Sequence, residues 1–180
     1  MKQHCWIQTY SGKHFYPFNP QPDQIDIVDI AHALALKCRY TGHCKRFYSV
    51  AEHCVHVSRN VDPDRSLWGL MHDAAEAYVS DVAGPVKDYI IGFREMENGI
   101  MRVIAEKYNL DPVWEPKEVK EIDQALLATE VPQVMLTDVK DFTFKAPPIK
   151  DLKIGFWGPE LAKTTFLLRF KEIANGKVLC

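Results

Sequence analysis

Between Leu67 and Val79 the chain reads Leu-Trp-Gly-Leu-Met-His-Asp-Ala-Ala-Glu-Ala-Tyr-Val, an apolar helical stretch interrupted by three ionisable residues, His72, Asp73 and Glu76. Adjacent residues on a helix stand about 100° apart and residues three or four apart share a face, so the three polar groups occupy one side of the segment. The flanking Leu70, Met71, Ala74 and Ala75 mark that side as buried. A buried polar face is costly unless its charges are compensated, and a divalent cation is the simplest compensator. The chain therefore has to fold so that other segments bring further ligands to this one.

The remaining pattern predicts where those segments are. Cys5 to Phe18 alternate β-branched and aromatic residues about Ser11-Gly12 and stop at Pro17, Pro20 and Pro22, which predicts a short β-hairpin. Ile27, Ile30, Ala31, Leu34 and Ala35 recur at helical spacing up to about Arg39. Ser49-Val50-Ala51-Glu52 has the form of a capping box, opening a second helix that carries His53 and ends at Asp62-Pro63. A third helix runs from about Arg65 to Val79. A long amphipathic stretch follows from about Val86 to Tyr108, with Ile90, Ile91, Met101, Ile104 and Ala105 as inward positions and Gly92 and Gly99 as weak points. Helices over about Pro116 to Met135 and Pro159 to Ala174 complete an all-α bundle. A chain of 180 residues, 47% of them hydrophobic, can bury one core without disulfides, so the expectation is a single domain over 1–180, with a hairpin appendage (1–22) on a helical core (23–180).

Composition excludes several roles. A net charge of −2 and a pI near 6.4 do not suit a protein that coats polymeric nucleic acid, whose affinity rests on many cationic contacts. Five cysteines, an odd number without a CxxC pair, predict reduced thiols in a cytoplasmic protein. No run approaches the roughly 18 apolar residues of a membrane span, so no membrane partner is expected.

All seven histidines lie at or before position 72. His53 on the preceding helix and Asp123 on a later one, beside Ile122, Leu126 and Leu127, are the candidates to join His72 and Asp73. From the residues alone, His56 rivals His53, and Glu118 and Glu121 rival Asp123. His32 reads as a core histidine. Two histidines with two carboxylates make a mixed N/O site that suits Mn, Fe, Co, Ni or Zn better than Ca. His43, Lys45 and Arg46 form a basic cluster ahead of the second helix.

The order His53, His72-Asp73, Asp123 resembles the ligand set of the HD-domain phosphohydrolase superfamily. The stretches Arg39-Tyr-Thr-Gly-His-Cys-Lys-Arg-Phe-Tyr-Ser-Val-Ala-Glu-His53, Leu70-Met-His-Asp-Ala-Ala-Glu-Ala-Tyr78 and Asp81-Val-Ala-Gly-Pro-Val-Lys87 are similar to a branch of small bacterial and phage enzymes. That branch includes 5′-deoxynucleotidases and dATP triphosphohydrolases. The resemblance implies an HD-domain helical bundle with His53, His72, Asp73 and Asp123 as metal ligands. It implies Glu76 as the group that positions or deprotonates the attacking water, and Asp81 as a second acid/base group. Arg39, Tyr40 and Lys87 would contact substrate, with the nearby His43, Lys45 and Arg46 as further phosphate contacts. A likeness of this kind also implies a homo-oligomer.

The expected activity is metal-dependent hydrolysis of a deoxynucleotide phosphoester, with a deoxynucleoside triphosphate favoured because the extra cations suit a polyphosphate. Mg can accompany its phosphates. A 5′-deoxynucleotidase acting on monophosphates is the alternative within the enzyme class, and a non-catalytic nucleotide-binding module is the alternative outside it. Glu76 and Asp81 favour an enzyme, since a pure binder has no need of acid/base groups beside its ligands.

Overall fold

The apolar spacing that begins at Ile27 forms helix α1 (Ile27–Leu36), whose first turn is capped by the Asp26 carboxylate accepting from the Val28 amide at 2.9 Å. This computed structural model describes residues 5–110, 114–136 and 139–176. Positions 1–4 of the expected hairpin segment and 177–180 of the last segment, His4 and Cys180 among them, lie outside the described residues. Helix α2 (Val50–Asn60) starts as its sequence predicts, with the Ser49 hydroxyl accepting from the Glu52 amide at 3.1 Å. Glu52 does not close the capping box, however. It turns away from the helix start and accepts the backbone amides of Gly155 and Trp157 at 2.7 Å and of Phe156 at 3.0 Å. Every residue from Val50 to Ser58 is buried, because α1 packs on one side of α2 and the helices described next on the others.

The segment expected as one helix from 65 to 79 is two. Helix α3 (Ser66–Met71) ends at the His-Asp pair and α4 (Glu76–Val79) begins three residues after Asp73. Between them the backbone tightens to bonds three residues apart, Ala74 to Met71 at 2.9 Å and Glu76 to Asp73 at 3.0 Å. The expected helix from 86 to 108 is likewise divided into α5 (Gly84–Lys87) and α6 (Phe93–Tyr108). Gly92, at φ +80°, supplies the reversal between them. Ile90 and Ile91 fall in that connection and are exposed, contrary to their inward assignment. Ile104 and Ala105 are buried and Met101 partly so. Helices α7 (Lys117–Val134) and α8 (Pro159–Gly176) match the expected spans to within two residues.

The hairpin, β1 (Ile7–Gln8) paired antiparallel with β2 (His14–Phe15), is exposed along β1 and joins the core through Phe15. Phe15 is fully buried and stacks on Tyr78 with ring centroids 3.9 Å apart. The Ser11 amide and hydroxyl both donate to Asp29 on α1, at 2.6 and 2.8 Å. It is thus less an appendage than a cover over α1 and α4. No helix among the described residues is long and apolar enough to cross a membrane.

Gly69 marks the closest approach of α3 to α2. A Cβ there would lie 2.9 Å from the Ser58 Cα, a backbone atom that cannot step aside. Gly69→Ala should therefore destabilise the protein by roughly 1–3 kcal/mol, the usual cost of overpacking. For a chain of this size that is a fall in Tm of about 2–12 °C by calorimetry. An unchanged Tm would show that the two helices can part without cost.

Candidate metal centre

His53 is the fourth residue of the buried helix α2, and His72 and Asp73 sit in the tight turn after α3. Asp123 projects from α7. The fold brings His53, His72 and Asp123 into one group whose ligand atoms lie within 4.8 Å of one another, and Asp73 into an overlapping group with His72 and Cys54. The His53 Nε2 atom lies 3.1 Å from His72 Nε2, 3.2 Å from Asp123 Oδ1 and 3.7 Å from Asp73 Oδ2. His72 Nε2 lies 3.3 Å from Asp73 Oδ2. His56, the rival from sequence, points away toward Glu52, 3.5 Å from its carboxylate.

What this cluster can hold follows from the far sides of the two rings. His53 Nδ1 faces Glu130 Oε1 at 2.6 Å, and His72 Nδ1 faces the Gly69 carbonyl at 2.9 Å. Both partners are acceptors only, so both Nδ1 atoms carry hydrogen, and each ring in its neutral form turns its Nε2 lone pair inward. Those two nitrogens then face Asp123 and Asp73 oxygens, and either protons on Nε2 or a cation can satisfy them. Imidazoles and carboxylates grouped in this way could hold a metal ion, and mixed nitrogen and oxygen donors are a set that a divalent transition metal accepts.

In the protein alone the titration of the groups favours protons on the rings. Burial works to keep both rings neutral, yet Asp73 raises the His72 pKa well above its usual value, and Glu130 and Asp123 raise that of His53. Burial also opposes ionisation of Asp73, but His72, His53 and Arg39 together hold it below the usual carboxylate range. Asp123 is lowered in the same way against its burial, chiefly by its bond to His53. Cys54, one of the cysteines expected to be reduced thiols, lies close enough to His72 and Asp73 to form an overlapping group of three possible ligands. Burial pushes its pKa up, so it remains a neutral thiol and a poorer ligand than the carboxylates.

A cavity of about 400 Å³ opens onto this centre. His72, Asp73 and Asp123 form its inner wall, and Trp68, Trp114 and Met101 contribute apolar surface. Lys87, Arg94 and Lys120 bring positive charge and Glu97 and Glu115 negative. Glu76 also lines it, nearly fully buried, with its Oε2 lacking any hydrogen-bond partner and Lys87 Nζ 3.7 Å from Oε1. Burial first, then the neighbouring Asp73 and Asp81, push the Glu76 pKa up to about 10. Asp81, half-buried beyond α4, is raised by burial and by Asp73.

The other residues expected to meet substrate are placed differently. Arg39 and Tyr40 face inward. Arg39 Nη2 donates to Glu130 Oε2 at 3.1 Å and the Tyr40 hydroxyl donates to the same oxygen at 2.6 Å. His43, Lys45 and Arg46 are exposed, Arg46 lying over the Phe156 ring, and among the described residues none of the 39–46 loop lines the cavity. Sequence reasoning missed Glu130, Arg94 and Lys120. Glu130 was findable, since it follows Asp123 by seven residues and so stands two turns along the same face of α7.

Because the Glu76 pKa is higher folded than the 4.5 of an unperturbed carboxyl, the folded state binds its proton more tightly than the unfolded state does. Its contribution is neutral below pH 4.5 and destabilising by an amount that grows as pH rises toward about 10. Glu76→Gln mimics the protonated form. In EDTA its Tm should exceed that of the wild type by a margin that widens from pH 5 to pH 9, and a margin independent of pH would refute the buried, protonated carboxyl. Separately, Asp73→Ala should lose metal by elemental analysis, while full retention of metal would remove the site.

No family model matches the chain. It is 44% identical over 133 residues to the uncharacterized protein YfdR of Escherichia coli (strain K12), an alignment that covers 74% of each chain. It is 31% identical over 119 residues to the uncharacterized protein RCAP_rcc00048 of Rhodobacter capsulatus, covering 61% of each. The first of these alignments contains enough of both proteins to decide the relationship, and the chain belongs to the same family as YfdR.

Proposed function

We propose that this protein is a metal-dependent phosphohydrolase of the HD-domain type that acts on deoxynucleotides. The observation that carries the reading is the approach of His72 Nε2, Asp123 Oδ1 and Asp73 Oδ2 to His53 Nε2, beside a cavity that His72, Asp73 and Asp123 line together with three cationic side chains. His53, His72, Asp73 and Asp123 would hold the metal, which when bound supplies Lewis acidity toward water and phosphoryl oxygen. Lys87, Arg94 and Lys120 would draw the phosphate into the cavity. Trp68 and Trp114 give it surfaces suited to a base or sugar.

Glu76 is the group that moves the proton. Its carboxyl and that of Asp73 share one small site but are driven apart, Asp73 held ionised and Glu76 held protonated. Such a split is how one site supplies both a fixed charge and an acid/base group. The unpartnered Oε2 of Glu76 is the atom free to exchange a proton with water or with the leaving oxygen. Asp81 stands behind it as the second acid/base candidate. A non-catalytic nucleotide binder would need no such group.

A triphosphate is favoured as substrate by the three cations of the cavity. A 5′-deoxynucleotidase is the second reading, favoured by Glu97, which already holds Lys87 at 2.7 Å and adds negative charge that a longer phosphate tail would have to displace. Chromatography of products from deoxynucleoside mono-, di- and triphosphates with Mn, Co, Mg or Zn separates them. Release of tripolyphosphate is expected, and orthophosphate from monophosphates alone would select the second reading. Glu76→Ala should keep its metal and lose turnover by about 10²-fold or more. Metal-loaded wild type that cleaves none of these substrates would end the proposal.

A further inference from the structure

Glu130 is the most heavily bonded carboxylate near the centre, and none of the metal, proton or phosphate roles above uses it. It is wholly buried on α7. Its Oε1 accepts from His53 Nδ1 and from the Tyr48 hydroxyl, both at 2.6 Å. Its Oε2 accepts from the Tyr40 hydroxyl at 2.6 Å and from Arg39 Nη2 at 3.1 Å. Two tyrosines, an arginine and a histidine, drawn from α2 and from the chain just before it, thus hold one carboxylate in a single orientation.

We infer that Glu130 is the positioning residue of the metal centre, fixing His53 as the Nδ1–H tautomer with its Nε2 lone pair aimed at Asp123 and His72, and that Arg39 and Tyr40 serve it by holding Glu130 instead of by touching substrate. The inference rests on the metal centre proposed above. Its physical content is twofold. A carboxylate on the far nitrogen fixes the ring's tautomer and angle and makes the near nitrogen a better donor to a cation. Its negative charge also offsets part of the cost of bringing a dication among buried groups. Tyr48 and Tyr40 prevent the carboxylate from swinging, and Arg39, whose Nη1 lies 3.6 Å from Asp73 Oδ2, ties its position to that of a second ligand.

The test is cobalt binding by the full chain, with no substrate present. Wild type should bind Co(II) near stoichiometrically and show the visible ligand-field bands of a nitrogen/oxygen site. Glu130→Gln should weaken that binding by about 10- to 100-fold, the usual effect of removing such a partner. Its bands should also shift. A variant that binds cobalt as tightly as wild type, with the same spectrum, overturns the inference even if its Tm is lower, because loss of packing alone moves only the Tm. Wild type that binds no cobalt instead overturns the metal centre itself, and the inference with it.

Should Glu130→Gln not fold, the zinc-loaded wild type decides by long-range proton–nitrogen NMR of its histidines. The His53 Nδ1 proton, bound to a carboxylate, should resonate well downfield of the His72 Nδ1 proton, bound to a neutral carbonyl. Coincident resonances, or a His53 protonated at Nε2, would overturn the assignment.

Discussion

A carboxylate that has lost all contact with water must find its compensation inside the protein, and Glu130 finds it in four donors that belong to residues 39 to 53. Burial favours its neutral form, but the charges of Arg39 and His53 and the bonds from His53 and Tyr40 hold its pKa well below the usual range. The consequence is structural before it is chemical. The carboxylate on α7 can be buried only if the chain from Arg39 to Tyr48 wraps against it, and α2 can be buried only if His53 has an acceptor for Nδ1. Each side supplies what the other lacks, so the approach of α7 to α2, and with it the approach of Asp123 to His53, is set by this one group.

A second buried carboxylate does comparable work one residue before His53. Glu52 accepts three backbone amides of the extended segment 155–157. Thr129 and Gln133, on either side of Glu130, accept the amides of Ile149 and Ile154 at 2.7 and 3.1 Å. A segment without regular structure exposes amides that a packed interior cannot leave unpaired. Here side chains beside Glu130 and His53 satisfy them, so the strap from Ile149 to Trp157 is fastened to the same two helices that carry the centre. Phe156 completes the fastening by meeting the ring of Tyr48 edge-on.

The sequence made the helices legible where apolar spacing was regular, as in α1, α2, α7 and α8. Of the four ligands it proposed, the fold sets His53, His72 and Asp123 in one group and Asp73 in an overlapping one with His72 and Cys54. The sequence misled where local bonding overrides periodicity. The run from Leu67 to Val79 reads as one helix because its apolar residues keep helical spacing. The His72 ring, however, takes the carbonyl of Gly69 at 2.9 Å, and the backbone after it tightens into turns. Ile90 and Ile91 kept the apolar pattern of an inward face, but the reversal at Gly92 left them outside. Arg39 and Tyr40 stand beside the basic loop in sequence and so read as substrate contacts. That they face Glu130, 90 residues away or more, depends on a pairing across the fold that no local pattern carries.

Electrostatics then divide the site into two halves. Behind His53 lie Glu130, Arg39 and the tyrosines, a network in which each oxygen of Glu130 accepts from two donors. In front of His72 lies the cavity, where Glu76 keeps an unpartnered oxygen and Lys87 is shared between Glu76 and Glu97. A densely bonded half, in which the buried Arg39 Nε alone of the described atoms around Glu130 lacks a partner, and a charged half with an unpartnered carboxyl oxygen, placed on opposite sides of one pair of imidazoles, suit the proposed chemistry. The first half holds ligands in register while the second keeps its bonding capacity for a substrate. The buried Oε2 of Glu76 is tolerable in the protein alone only because its carboxyl holds a proton, and the same proton is what gives the group something to exchange. The cost of burying Glu76 and its proposed use in the reaction thus share their causes, its burial first and then its placement beside Asp73 and Asp81, which Arg39 and Lys87 only partly offset.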